Sequence, residues 1–201
     1  MNDNQKIYIA FLVIGIALTA ILLTIYLYRN LYRKRHYQEA TYLKLSKIAK
    51  YEDYLLINNY KVDLDAEHIG IVNHILAGNK FLYFINDFNL SGVISGELKS
   101  YHLRQIDKEK RVNEIVNPLN YNINLIKRFS QKHNLDQSFI KGIVVINDDS
   151  FIGINGTGKN FFMVSRKDLP NLISELEDCN EKNIKEKSLI DLMSRLSKES
   201  V

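Results

Sequence analysis

Residues Asn73 to Gly92 read NHILAGNKFLYFINDFNLSG. Two strand-forming runs flank a tight turn: His74-Ile75-Leu76 comes first, Gly78-Asn79 carries the turn, and Phe81 to Ile85 is an unbroken apolar run. An apolar run with no polar alternation predicts a strand covered on both faces, and so the centre of a sheet. The run stops abruptly at Asn86-Asp87-Phe88-Asn89, and Ser91-Gly92 turns the chain. In an α/β domain the polar end of a buried strand is a usual place for binding and chemistry. What these polar residues can do is therefore the functional question.

Working outward, Tyr37 to about Asn58 reads as a helix, with Leu45, Ile48, Tyr51 and Leu55 as its apolar stripe. Val62 to Glu67 is acidic and reads as a strand end or loop, and His68 to Leu76 as a strand. Gly92 to Tyr101 predicts a third strand through Val93, Ile94 and Leu98, and charged His102 to Glu114 a solvated excursion. Asn117-Pro118 opens a helix, with Asn as N-cap and Pro at the first helical position. Leu119, Ile123, Ile126 and Phe129 share one face, and His133-Asn134 ends the helix. Ile140 to Ile146 is a strand. Phe151–Ile154 and Phe161–Val164 are short strands around a Gly-rich turn. Ser165 and Asp168 resemble a capping box before a helix through Leu176, and a last helix spans about Leu189 to Leu196. This order predicts an α/β (α+β) domain with a mixed sheet.

The chain's net charge of +4 is unevenly placed. Lys6, Arg29, Arg33, Lys34 and Arg35 face only Asp3 in the first 36 residues, so the chain from Tyr37 onward is neutral. Ile7 to Tyr28 carries no charge, and as a helix it is about 33 Å long, enough to cross the hydrocarbon layer. The run is too long for a cleaved signal, and no small-x-small site follows it. Tyr26, Tyr28 and Tyr32 sit where an interfacial aromatic belt belongs, and the basic cluster follows at once. The expectation is a single-pass anchor over residues 1–36 in the cell membrane, in contact with lipid, and a cytoplasmic domain over residues 37–201. The neutral domain does not advertise nucleic-acid binding. Cys179, the single cysteine, has no disulfide partner within the chain, which fits a reducing compartment.

Asn73-His-Ile-Leu, the turn, Phe81-Leu-Tyr-Phe-Ile85, Asn89-Leu-Ser-Gly92 and Asn117-Pro-Leu-x-x-Asn122 together resemble the nuclease-related domain (NERD) family. That resemblance covers about Tyr51 to Leu172 and implies a restriction-endonuclease-like fold, often preceded by a membrane helix. The family pattern is Asp-His-Ile before the turn, Glu-x-Lys-Asn with a Gly three residues on after the second strand, and Asn-Pro-Leu-x-Gln-Asn opening a helix. His74, Asn89, Gly92, Asn117, Pro118 and Asn122 keep that pattern. Asn73 stands in place of the metal-binding Asp, Asn86-Asp87-Phe88 in place of Glu-x-Lys, and Tyr121 in place of Gln. A nuclease of this type needs carboxylates to hold Mg²⁺ and a Lys to steady developing charge, whereas an amide oxygen is neutral and Phe88 offers a phosphate nothing.

Other signals compete. Glu97-Leu98-Lys99 is itself a Glu-x-Lys, and on a strand Glu97 and Lys99 share a face. With Asp87 they make an alternative, displaced Mg²⁺ site, although charges two apart on a strand also mark a solvated sheet face. Gly153-x4-Gly158-Lys159 nearly spells a phosphate-binding loop, but Asn160 replaces the Ser or Thr and a strand follows, so a hairpin turn is the plainer reading. His68 and His74, six apart, are either a shared face near Asp63, Asp65 and Glu67 or, for His74, framework packing. Tyr37, Tyr42, Tyr51 and Tyr54 read as core or as an interaction face. The leading expectation is a non-catalytic, membrane-anchored NERD-like domain, without cofactor, acting in binding or assembly with a protein partner. The alternatives are an active nuclease at Asp87, Glu97 and Lys99, and a purely structural membrane scaffold.

Overall fold

The apolar run lies at the centre of a sheet, as its composition predicts. In this computed structural model, which describes residues 3–35, 37–65, 67–155, 158–181, 184 and 186–199, the strand β3 (Leu82–Asp87) is the middle of five. It follows β1 (Leu55–Asp63) and β2 (Ile69–Ala77), with which it forms an antiparallel meander. On its other side β7 (Ile140–Ile146) and then β9 (Phe161–Ser165) join in parallel. Parallel neighbours need crossovers, and the first is α3 (Pro118–His133).

Successive side chains of β3 enter opposite cores. Leu82 and Phe84 pack with Leu125, Ile126 and Phe129 of α3 and with Leu192, Met193 and Leu196 of α5 (Glu186–Glu199). Tyr83 and Ile85 pack with Leu45 and Ala49 of α2 (Tyr37–Glu52) and with Leu169 and Ile173 of α4 (Leu169–Glu177). Helices on both faces explain the missing polar alternation. Each fully buried side chain of this size contributes about 1.5–3 kcal/mol. A second sheet, in the order β6 (Val112–Val116), β5 (His102–Ile106), β4 (Val93–Glu97), β8 (Phe151–Asn155), packs Ile94 and Leu103 against Leu119, Val144 and Ile146. Among the described residues the domain is thus mixed α+β with two mixed sheets.

Several expectations give way. The helix from Tyr37 ends at Glu52: Asp53 adopts a left-handed φ of 57°, and the Tyr54 N–H closes on the Ala49 carbonyl at 2.9 Å. Leu55 to Asn58 therefore opens a strand, and Tyr51, expected in the apolar stripe, is 87% exposed. The buried face of α2 is Thr41, Leu45 and Ala49. The charged stretch after His102 is a hairpin, β5 to β6, whose tip is tied by the Asp107 N–H to the Arg111 carbonyl at 3.0 Å. Within α3, Ile123 is half-exposed, and Asn122 and Leu125 are buried instead. The caps of α3 stand as expected: Asn117 Oδ1 accepts from the Leu119 N–H at 3.1 Å, and Asn134 ends the helix at φ 51°. At α4 the cap is Asp168, without a side-chain capping bond, and the Ser165 hydroxyl donates to its carboxylate. β8 and β9 belong to different sheets, so these two strands do not pair as the expected hairpin. Gly156 and Thr157 lie outside the described residues.

The contacts of the chain divide it into residues 1–37 and 38–201. The first part is α1 (Asp3–Arg35), one helix long and apolar enough to cross a membrane. Its window Phe11–Tyr28 has a mean hydropathy of 2.4 and no buried residue. Thr19 and Thr24 donate their hydroxyls to Gly15 and Ala20 carbonyls, each at 2.8 Å, so neither needs water.

Candidate functional site

Asn73, Asn86 and Tyr121, singled out by the sequence resemblance, meet where β2 and β3 part. The two strands pair from Ala77 opposite Leu82 to His74 opposite Ile85, and there the regular ladder ends. Side chains take over from main chain. The Asn73 N–H donates to Asn86 Oδ1 at 2.8 Å, and the Asp87 N–H donates to Asn73 Oδ1 at 2.8 Å. One turn of strand earlier, the Tyr121 hydroxyl accepts from the Ile71 N–H at 2.8 Å and donates to the Ile71 carbonyl at 3.1 Å. Unpaired backbone groups at a strand edge must find partners, and these side chains supply them.

Behind this edge the amides form a chain. Asn86 Nδ2 donates to Asn122 Oδ1 at 2.5 Å, and Asn122 Nδ2 donates to the carbonyls of Ile143 at 3.0 Å and Phe84 at 3.4 Å. Backbone donors at one end and backbone acceptors at the other fix which way each amide points. Asn86 and Asn122 are both buried. Asn86 is therefore structural, with both ends of its amide consumed.

The parting strands leave a cleft of about 320 Å³. Asn73, Asn86, Phe88 and Tyr121 all line it. Gln38 of α2, Asn59 of β1 and Ile71 of β2 contribute the rest, together with Asp87. The rings of Phe88 and Tyr121 meet edge to face, with centroids 6.3 Å apart at 82°. Asn59 has a left-handed φ of 55° inside β1, between the paired residues Asn58 and Tyr60.

Asp87 borders the cleft but turns its carboxylate beneath α2, where it is fully buried. Oδ1 accepts from the Thr41 hydroxyl, and Oδ2 lies 3.1 Å from His74 Nε2. His74 Nδ1 in turn lies 2.7 Å from Asn58 Oδ1, and the Arg166 Nε–H donates to Thr41 Oγ1 at 3.1 Å. This buried chain joins α2, β1, β2, β3 and the segment after β9. Of the two alternatives for His74, the structure shows the packed one: its ring is buried within this chain of bonds. His68 is exposed, precedes β2 and pairs with Asp65 at 2.8 Å, so the two histidines form no common site. The backbone N–H of Glu67 and the His68 ring hold the Asp65 carboxyl below its usual range.

Glu97 and Lys99 stand elsewhere. β4 ends at Glu97, and a turn closed by the Ser100 N–H on the Glu97 carbonyl at 3.0 Å carries Leu98 and Lys99. Lys99 is off the strand, so the shared strand face expected of the pair does not form. Neither residue lines the cleft, and the Asp87 carboxylate is occupied by Thr41 and His74. Among the described residues no three His, Cys, Asp or Glu side chains gather into a metal-ligating group. Lys159 is followed by β9, a strand, and Cys179 packs against the core shared by α2 and α4.

A larger groove, about 900 Å³, runs between α2, α4 and the turn at Asn79 and Lys80. Its central acid is already engaged: Glu177 accepts from the Tyr83 hydroxyl at 2.6 Å and from the Asn79 and Lys80 N–H groups, each at 3.1 Å. Burial, and then the nearby Glu177, Glu52 and Asp178 carboxylates, push the Tyr54 phenol up to about 12.

The amide chain and the Asp87–His74–Thr41 cluster escaped the sequence reading. A signal was available: Asn58, Asn73, His74, Asn86 and Asp87 each interrupt or end an apolar strand, and buried polar groups need partners. Compared with known proteins, the chain matches no protein-family model, no curated protein and no solved structure.

Proposed function

We propose that this chain is a membrane-anchored NERD-like domain of restriction-endonuclease-like fold, whose cleft binds a ligand without cutting it. The order helix, three antiparallel strands, Asn-Pro-capped helix and parallel strand supports that fold. The positions that match the family have structural work: Asn117 caps α3, Asn122 spans β3 and β7, and Asn89 accepts from Asn147 Nδ2 at 2.9 Å. One observation carries the non-catalytic reading. Where the family places its metal-binding carboxylates, Asn73 and Asn86 are neutral: Asn73 Oδ1 accepts from the Asp87 N–H, and the Asn86 amide is bound to the Asn73 N–H and to Asn122 Oδ1. Mg²⁺ prefers charged oxygens, and Asn86 has no free one to give. The basic cluster after the apolar helix orients the domain toward the cytoplasm.

The test uses the full chain in detergent micelles with labelled DNA and RNA, with Mg²⁺ and with Mn²⁺. No metal-dependent cleavage is expected, and Lys99→Ala should change stability by less than about 0.5 kcal/mol. Cleavage by the wild type that Lys99→Ala abolishes would establish a working site at Asp87, Glu97 and Lys99 instead.

A further inference from the structure

Resting on that reading of the cleft as a binding site, we infer that its ligand is a nucleobase: an uncharged planar ring, gripped by its hydrogen-bonding edge and stacked on an aromatic wall, with no contact to phosphate.

Charge is the first argument. Among the described residues no cationic side chain lines the cleft, and the one acid that does, Asp87, has a carboxylate fully buried beneath α2. An anionic or cationic group would leave water there and find no counter-charge, which is unfavourable.

The second argument is the amides still available. Asn73 Oδ1 must be the oxygen, because the Asp87 N–H donates to it, so Nδ2 is left over. It has no partner among the described residues, and neither does the side chain of Asn59 or of Gln38. A carboxamide carries a donor and an acceptor side by side, the pattern that pairs bidentately with a base edge. Asn59 stands level with Asn73 on the neighbouring strand, between the paired couples Asn58–His74 and Tyr60–Val72. Its left-handed backbone breaks the ladder at that level alone. Non-glycine residues held this way concentrate at ligand clamps.

The third argument is shape. Phe88 and Tyr121 meet edge to face, an arrangement that leaves ring surface uncovered by the partner ring. Bases stack on such surfaces with little regard to sequence. A volume of about 320 Å³ is at the lower end of small-molecule sites and admits one ring system with its sugar.

Calorimetry on the full chain in detergent micelles tests this with adenosine, guanosine, cytidine and uridine. Each is compared with its 5′-monophosphate, with glucose as a neutral non-planar control, and with a short unstructured oligonucleotide. At least one nucleoside should bind saturably. Its monophosphate should bind within about threefold of it, since among the described residues no cation awaits the phosphate. Asn59→Gly keeps the left-handed backbone and removes the amide. Phe88→Leu keeps apolar bulk and removes the ring. Each should weaken binding about tenfold while the far-ultraviolet spectrum and melting temperature hold. Oligonucleotide binding much tighter than nucleoside binding would place the base in a strand; equal binding would make it a free small molecule. Either supports the inference. No saturable nucleoside binding, binding of glucose alone, or a monophosphate preference above about tenfold would overturn it while leaving a non-cutting cleft intact. Metal-dependent cleavage would instead overturn the underlying reading and this one with it.

Discussion

Exchanging one carboxylate oxygen for an NH₂ reverses what Asn86 can give its surroundings. As an amide it accepts from the Asn73 N–H and donates to Asn122 Oδ1, closing two gaps in a buried ladder. As Asp it would lose the donor, and two acceptors would face each other at 2.5 Å in a site closed to water. Asn86→Asp should therefore cost about 1–3 kcal/mol in urea unfolding. An unchanged unfolding midpoint would mean that the amide chain is not formed. The same scale shows what the sequence makes legible. Gly92 at the turn is readable because its requirement is local: φ is 92°, and a Cβ would sit 2.1 Å from the Ile106 carbonyl oxygen. Asn117 is readable for the same reason, since cap and capped N–H are two residues apart. The partner of Asn86 lies 36 residues away, and nothing near it in sequence announces the pairing.

At the scale of elements, β3 and β7 were legible because burial on both faces leaves a continuous apolar run. β1, β5 and β6 were not. β1 is an edge strand with alternating exposure, and the left-handed Asn59 shifts its alternation midway, so Ile57, Tyr60 and Val62 all reach one core. β5 and β6 form a thin, half-solvated hairpin whose charges hide its period of two. The hold of α5 on β1 makes a prediction at this scale. The Tyr60 hydroxyl donates to Glu199 Oε2 at 2.8 Å, and Lys132 Nζ stands 3.3 Å from the same oxygen. That hydroxyl bond, followed by Lys132, lowers the Glu199 carboxyl below its ordinary 4.5. A lowered acid stabilises the fold above pH 4.5 and loses that contribution as pH falls through the folded value. His133, 3.2 Å from the same hydroxyl, is lowered below 6.5 by burial, so acid also works against the fold there as the unfolded state takes up its proton first. Melting temperature should fall from pH 7 toward pH 3, and Tyr60→Phe should flatten the lower part of that fall. Glu199 is largely exposed, so the flattening should be worth at most about 1 kcal/mol. Identical profiles for wild type and variant would remove Tyr60 from the coupling.

At the scale of the whole molecule, the proposed topology rests on where the charge lies. The excess of +4 falls within the first 36 residues, and the remainder is neutral. A helix of 33 residues is about 50 Å long, more than the hydrocarbon layer needs, so its basic C-terminal end extends beyond the apolar window Phe11–Tyr28. Lys and Arg resist translocation, and Lys6 is the only basic side chain on the other flank. On the proposed insertion, which keeps Arg29, Arg33, Lys34 and Arg35 inside, residues 37–201 lie in the cytoplasm. Protease added to intact cells should then spare that domain and digest it once the membrane is permeabilised. Replacing the four basic residues by Gln removes the asymmetry and leaves Lys6 as the stronger flank, so a fraction of the molecules should invert and become sensitive from outside. A wild-type domain cut in intact cells would reverse the topology. A quadruple variant as protected as wild type would show that the folded domain, and not the charge cluster, decides the orientation.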